Sequence, residues 1–245
     1  MEPIMRQTHT ITAAGVDCYG RMKPSWLLFL AQEIAGDHSA ALNAGMTVLN
    51  EKHMFWAVTR HKVQITRLPM IGETITLETW PMPTTRVAYP RSTIAYDAQG
   101  NELFRSISIW VLMDQENRSM ILPGKSGLNF SGLVRGGELA TPGSLMPKPL
   151  ENQSSHRVAY TDLDRNGHAN NTKYLDWIDD LLPSAFHAGH SAREFTICYH
   201  HESLETDLLG LDWELQEGNS LRVDAHRNEN DGTASRIFSA QVIYE

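Results

Sequence analysis

The second half of the chain contains a short run, Asp164-Arg-Asn166-Gly167-His168, that places a carboxylate, an amide and an imidazole around a glycine. A further carboxylate, Glu202, follows later in the sequence. Imidazole and carboxylate groups can transfer protons, and an amide N–H group can donate a hydrogen bond to a developing oxyanion. These residue types could therefore activate water and stabilise negative charge, if the fold brings them together.

Each of these residues also has a purely structural interpretation. Aspartate and asparagine are common in tight turns, because their side chains bond to backbone groups two residues on. Asn170 and Asn171, which follow the run, are better explained as a helix cap than as catalytic residues. A carboxylate in a strand, as predicted for Glu202, is usually solvated. We expect Asp164 to fix the loop or the side chains of Asn166 and His168.

A helix is predicted directly after this turn and should hold it in place. Its apolar face is formed by Tyr174, Trp177, Ile178, Leu181 and Leu182, and Pro183 should end it. Glu202 is predicted on a long strand, 193–203, which follows the helix. The candidate residues are therefore expected on two elements, with the loop supplying three and the strand supplying one.

The rest of the chain repeats this order of elements. In the first half we predict a strand over 5–14, a helix from Pro24 to about Asn43 that is buried nearly all round, and strands over 54–67, 74–80, 87–96 and 103–113. In the second half, strands are predicted over 154–160, 193–203, 211–216, 221–226 and 236–244, with Asp231-Gly232 as a hairpin turn. Residues 117–150 contain six glycines and four prolines, which is typical of a linker. Each half is predicted to be a curved antiparallel sheet around a helix.

The two halves resemble an internal duplication. Asp17-Cys-Tyr-Gly20-Arg21 aligns with Asp164-Arg-Asn166-Gly167-His168, and Leu27 then aligns with Tyr174. A looser alignment of the following strands pairs Gln64 with Glu202. The first copy has Tyr19, Arg21 and Gln64 where the second has Asn166, His168 and Glu202, so only the second copy carries a candidate site.

Composition excludes several classes of protein. The formal net charge of −8 over 245 residues argues against a nucleic-acid surface. The two cysteines form no disulfide framework, and with no signal peptide apparent, a cytoplasmic location is expected. No apolar run approaches the length of a membrane span. No cofactor is expected. A metal is not expected either, because the adjacent His200 and His201 would point to opposite faces of a strand and could not easily bind one ion.

Several motifs resemble the acyl-acyl-carrier-protein thioesterases of bacteria and plant plastids. The run D-x-N-x-H-x-N-N-x-x-Y-x-x-W begins at Asp164, and Tyr199-His-His-Glu202 resembles the family's third active-site region. In the first half, the resemblance rests on Trp56-Ala-Val-Thr-Arg60, Leu68-Pro69, Gly72-Glu73, Thr79-Trp80 and Ser108-Ile-Trp110. The resemblance covers the chain from about residue 5 to its end.

The resemblance implies an α+β protein of two tandem hotdog folds. Residues 1–116 would form a non-catalytic hotdog that binds the acyl chain, 117–150 a linker, and 151–245 the catalytic hotdog. It implies hydrolysis of acyl-acyl-carrier protein to free fatty acid, with the carrier protein as partner. From the charge and the apolar runs, neither nucleic acid nor a membrane is expected as a partner, and a homodimer of the tandem is a further possibility. The alternatives are an acyl-coenzyme A thioesterase, and a hotdog hydratase or non-catalytic acyl-binding protein.

The implied catalytic residues are Asp164, Asn166, His168 and Glu202. Glu202 is expected as the general base, made more basic by an apolar surrounding, while His168 shares or orients the water or polarises the carbonyl. Many plant members have cysteine directly after this glutamate, where the present chain has Ser203. A cysteine nucleophile at that position is therefore excluded, and Cys198 should lie roughly 13 Å from Glu202 along the strand.

Overall fold

The computed structural model describes residues 2–229 and 232–245, so Asp231 of the predicted hairpin turn lies outside the described residues. The chain folds into two compact units, Met1–Pro142 and Gly143–Glu245. In the described part of the chain, no helix has the length and apolar character needed to cross a membrane.

The first unit is an antiparallel sheet with one long helix. Its elements in chain order are β1 (Met5–Thr10), α1 (Pro24–Ala41), α2 (Met46–Glu51), β2 (Met54–Ile65), β3 (Thr74–Pro81), β4 (Tyr89–Tyr96), β5 (Glu102–Asp114) and β6 (Met120–Ile121). The strands pair in the order β1-β3-β4-β5-β2, with β6 on β5, and α1 lies against β1 and β3. Pro24 starts α1, where a missing backbone N–H group has no cost.

The face of this sheet that meets α1 has a polar layer. Arg91 on β4 donates from Nη1 to His38 Nδ1 on α1 at 3.1 Å. The cross-strand partners of Arg91 and Thr93 are Ser108 and Ser106, and all four are buried. Burial, followed by repulsion from Arg91, lowers the pKa of His38, so the neutral imidazole can accept this hydrogen bond. The interior beneath α1 is therefore not purely apolar.

The first part of the predicted linker packs on the opposite face of the same sheet. Leu139 contacts the cluster formed by Ala88, Ile107, Ile109 and Val111. Strand β5 is thus covered on both faces. Ile107 and Ile109 face the linker segment, while Ser106 and Ser108 lie on the face that carries Arg91 and meets α1. Residues 117–142 consequently belong to the first compact unit.

The second unit repeats the arrangement with shorter helices. Its elements are β7 (Asn152–Arg157), α3 (Lys173–Asp179), α4 (Ser184–Gly189), β8 (Ala192–Tyr199), β9 (Leu208–Gln216), β10 (Ser220–Asn228) and β11 (Ala234–Tyr244). The strands pair antiparallel in the order β8-β11-β10-β9-β7. Helix α3 packs on β8 and β11 through Tyr174, whose ring contacts those of Tyr199 and Phe238.

The helices differ from the sequence-based predictions in three respects. Helix α1 is surrounded by protein only over its first half, since Glu33, Gly36 and Asp37 are exposed. Helix α3 ends at Asp179, before Pro183, and the proline caps a further short helix, α4. Helix α2 was not predicted, because six residues are too few to show a helical period.

Candidate active site

The backbone of the turn from Asp164 to His168 is held by the Asp164 carboxylate. Its Oδ1 accepts hydrogen bonds from the backbone N–H groups of Asn166 at 2.7 Å and His168 at 3.3 Å. The backbone of Asp164 also bonds to Gly167 and His168, and Gly167 has a φ of +79°. A side chain at Gly167 would be strained in this left-handed conformation. Asp164 therefore acts on the shape of the turn.

Asn166 lies at the exposed tip of the turn. Its Nδ2 donates to Asp164 Oδ2 at 3.3 Å. An asparagine amide has two N–H bonds, so this contact uses one of them. The structure places Asn166 beside Asp164, as expected, and orients its amide through that carboxylate.

His168 and Glu202 form the central contact of the candidate site. His168 Nδ1 lies 3.4 Å from Glu202 Oε2. The imidazole is 24% exposed and the Glu202 side chain 46% exposed. The expected apolar surrounding of Glu202 is thus not found: water reaches this carboxylate. Because Nδ1 is the ring nitrogen beside the carboxylate, Nε2 is the one left for a water molecule.

Glu202 lies outside the strand on which it was predicted. Strand β8 ends at Tyr199, and Glu202 is three residues further on, in the loop that leads to β9. This loop is joined to the turn from Asp164 to His168 by the bond from Ala169 N to Ser203 O at 2.8 Å and by a bridge between His168 and Leu204. The estimate of 13 Å between Cys198 and Glu202 assumed a continuous strand and does not apply.

The two copies can be aligned by their backbone hydrogen bonds. Ala169 N donates to Ser203 O, as Met22 N donates to Pro69 O. Val158 N donates to Asp207 O, as Ile11 N donates to Glu73 O. These bonds pair Ser203 with Pro69 and therefore Glu202 with Leu68. The predicted pairing of Glu202 with Gln64 was wrong by four residues, because Gln64 still lies within β2.

The first copy has the same turn with other side chains at the positions of the candidate site. Asp17 Oδ1 accepts from the N–H groups of Tyr19 and Arg21, both at 2.9 Å, and Gly20 has a φ of +77°. The Arg21 guanidinium forms an ion pair with Asp17 at 2.8 Å and lies over the Tyr19 ring. With Leu68 in place of Glu202, this copy has no equivalent of the imidazole–carboxylate contact.

Four other histidines of the second unit contact residues outside the candidate site. His156 is 3.3 Å from Asp162 and stacks on Trp177. The other contacts are those of His200 with Ser239, His201 with the carbonyl of Arg236, and His226 with Asp212. The two cysteines are free thiols, Cys18 exposed and Cys198 buried.

Solved structures of known proteins share this fold. An acyl-ACP thioesterase from Bacteroides thetaiotaomicron superimposes with a TM-score of 0.89 at 23% sequence identity, covering 99% of this chain and 98% of that chain. The 12:0-ACP thioesterase from Umbellularia californica gives a TM-score of 0.84 at 22% identity, covering 100% and 98% of the two chains. The chain is an α+β protein of two tandem hotdog folds, which confirms the predicted fold.

Sequence comparison identifies the family. The model of the acyl-ACP thioesterase N-terminal domain matches residues 3–122, and that of the C-terminal domain matches residues 147–237. The chain therefore belongs to the acyl-ACP thioesterase family, as its motifs indicated.

Two curated relatives are chloroplastic plant proteins. The chain is 26% identical over 206 residues to the oleoyl-acyl carrier protein thioesterase of Coriandrum sativum, covering 74% of this chain and 54% of the relative. It is 27% identical over 193 residues to the dodecanoyl-[acyl-carrier-protein] hydrolase of Cinnamomum camphora, covering 73% and 50%. The chain thus spans about half the length of the curated relatives it matches.

Proposed function

We infer that this protein hydrolyses the thioester of acyl-acyl-carrier protein and releases a free fatty acid. Family models match both halves of the chain, and the relatives named above act on acyl-carrier-protein thioesters. The single observation that carries the proposal is the contact of 3.4 Å between His168 Nδ1 and Glu202 Oε2. It occurs beside a turn held by Asp164, and the sister copy has arginine and leucine at the two positions.

In the proposed reaction, His168 Nε2 takes a proton from water while the water oxygen attacks the thioester carbonyl carbon. Glu202 holds Nδ1 and stabilises the imidazolium that forms. The tetrahedral intermediate then collapses, the C–S bond breaks, and the imidazolium returns the proton to the departing thiolate. The products are a fatty acid and the free thiol of the carrier. Glu202 has the supporting role because its contact is with Nδ1, whereas the water is placed at Nε2.

Asn166 and Asp164 complete the proposed site. The Asn166 amide supplies an N–H group for the oxyanion or for the attacking water. Asp164 accepts hydrogen bonds from the backbone N–H groups of Asn166 and His168, and so positions the backbone from which both side chains extend.

Acyl-chain binding by residues 1–116 and a cytoplasmic location belong to the same proposal, as does a homodimer. The net charge of −8 supports the expectation that nucleic acid is not a partner.

The test is hydrolysis of long-chain acyl-carrier protein and the matching acyl-coenzyme A by the full chain. We expect His168→Ala to lower kcat by about 10²- to 10⁴-fold, the usual contribution of a positioned acid–base group. Glu202→Gln should lower it less, because the amide oxygen can still hold Nδ1–H. Arg21→Ala, at the equivalent position of the sister turn, is the matched control and should leave kcat unchanged.

The outcomes separate the alternatives. A larger loss in Glu202→Gln than in His168→Ala would assign the base role to Glu202. Faster hydrolysis of acyl-coenzyme A than of acyl-carrier protein would reverse the substrate assignment. If the wild-type protein hydrolysed neither thioester, the hydrolase proposal would be wrong, and hydration of an enoyl thioester would be the next activity to measure.

A further inference from the structure

A buried pair of hydroxyl groups lies directly behind the candidate site. Ser203, the residue after Glu202, has a relative exposure of 0%, whereas the Glu202 side chain is 46% exposed. The hydroxyl of Tyr174 on α3 donates to Ser203 Oγ at 3.3 Å. Burial raises the pKa of Tyr174 to about 12, so this hydroxyl keeps its proton at neutral pH and can donate.

Ser203 is the point where three parts of the second unit meet. Its carbonyl oxygen accepts from Ala169 N, directly after His168, and its hydroxyl accepts from Tyr174. The Tyr174 ring is itself held, because it contacts Trp177 at 4.7 Å and Phe238 at 4.9 Å between ring centroids. The loop that carries Glu202 is thus attached to the turn that ends at His168 through its backbone and to α3 through this side chain.

The pair is present only in the copy that carries the candidate site. The alignment by backbone hydrogen bonds places Pro69 at the position of Ser203, and the turn alignment places Leu27 at that of Tyr174. Both residues of the first copy are buried and apolar. The same fold therefore packs this position without hydroxyl groups where no imidazole–carboxylate contact has to be kept.

We propose that Tyr174 and Ser203 are positioning residues, whose buried hydrogen bond fixes the Glu202 loop and thereby the separation between Glu202 and His168. The inference rests on the proposed function, since it concerns the geometry of the same site. It also assigns a role to the serine that follows Glu202: its hydroxyl is directed at Tyr174 and is buried, so it acts through the loop and not on substrate.

The test compares Ser203→Ala, Tyr174→Phe and the double variant in the full chain. We expect each single variant to lower kcat by about tenfold with KM within about twofold, because small displacements of catalytic groups are costly. The double variant should regain thermal stability, since removing both partners leaves no buried hydroxyl unpaired, while its kcat stays low. A merely structural role predicts that kcat and stability recover together, and that result would overturn the proposal.

Ser126→Ala is the matched control, because Tyr89 donates to Ser126 Oγ at 2.7 Å in another buried tyrosine–serine pair. It should lower the melting temperature without lowering kcat. A second measurement does not depend on hydrolysis: the hydrogen exchange of the Ala169 N–H group, which donates to Ser203 O and joins the Glu202 loop to the turn. With the loop less well held, this exchange should be faster in Ser203→Ala and not in Ser126→Ala. An unchanged exchange rate would refute the positioning role even if the protein hydrolysed no thioester.

Discussion

At the scale of single residues, the hydrogen bonds of the Asp164 carboxylate account for the shape of the turn. The same hydrogen bonds are found at two other turns of the described residues, where Asp17 and Asp97 also accept from the backbone N–H groups two and four residues on. The hairpin at Asp97 lies in the first unit, between β4 and β5. The pattern Asp-x-x-Gly-x therefore encodes a backbone shape, and the chemistry depends on the side chains that this shape presents.

This interpretation predicts the effect of Asp164→Ala. The turn should lose two hydrogen bonds from backbone N–H groups, and the backbone at Asn166 and His168 should shift. Because their side chains would move with it, kcat should fall by about tenfold or more with a small change in KM. The free energy of unfolding should fall by about 1–2 kcal/mol. Steady-state kinetics and urea unfolding measure the two effects.

Asp17→Ala is the control, because it removes the same bonds from the sister turn. A similar loss of stability with normal kcat is expected. Equal losses of kcat in both variants would show that the effect of Asp164→Ala comes from general destabilisation.

The sequence was enough to name the residues of the candidate site, but not to place Glu202 relative to the end of β8. Asp164, Asn166 and His168 could be placed on one turn because the spacing of aspartate and glycine is a local signal. Glu202 could be named through the resemblance, but its position depends on where β8 ends and on the bond between Ala169 and Ser203, which are non-local. Because such non-local bonds cannot be read from the sequence, Glu202 was paired with Gln64 and not with Leu68. The contact between Tyr174 and Ser203 was not predicted for the same reason.

At the scale of elements, periodic segments were predicted well and short ones poorly. The start of α1 at Pro24 and the strands from Met54 to Asp114 agree with the prediction to within two residues. Helix α3 was predicted too long, because Leu181 and Leu182 continue its apolar face although the helix ends at Asp179. Leu182 is buried and Leu181 is partly buried, and residues after the end of a helix can face the interior in this way too.

The end of α3 carries a carboxyl group that should make stability depend on pH. Asp179 Oδ1 accepts from the Tyr244 hydroxyl on β11 at 2.9 Å. Burial raises the pKa of Asp179 to about 6; the Tyr244 bond and His187 lower it, and Asp176 and Asp180 raise it further. Since the unfolded residue has a pKa near 3.8, the folded protein binds more protons between about pH 4 and 6. The stability contributed by this group is therefore lost as pH rises through that range.

Asp179→Asn should remove this dependence, because asparagine keeps an acceptor for Tyr244 and carries no charge. Relative to the wild type, the variant should gain up to about 3 kcal/mol of unfolding free energy between pH 4 and pH 7. Urea unfolding at pH 4.5, 5.5 and 7.0 measures the difference between the two proteins, so that other titrating groups cancel. A difference that stays constant across this range would mean that Asp179 is not the group responsible.

At the scale of the whole molecule, the duplication explains why a chain with two similar turns has one candidate site. The backbone hydrogen bonds around both turns have been retained, while three side chains have diverged at each. The order of elements could be predicted from the sequence, and so could which of the two copies carries the candidate site. The polar layer beneath α1 could not, because Arg91, Ser106 and Ser108 occupy positions that in isolation read as the solvated face of a strand.

The net charge of the chain predicts how it would meet the carrier protein of the proposed reaction. The chain has a formal charge of −8, so long-range attraction to an acidic carrier protein is not expected. The screening length falls from about 30 Å at 0.01 M salt to about 10 Å at 0.1 M. Screening should therefore weaken a net repulsion, and kcat/KM for acyl-carrier protein should rise or stay within about twofold over this range.

The matched control is an uncharged acyl-N-acetylcysteamine thioester, whose hydrolysis should not respond to this screening. A tenfold fall with acyl-carrier protein alone would instead require a local basic surface strong enough to outweigh the charge of the whole chain.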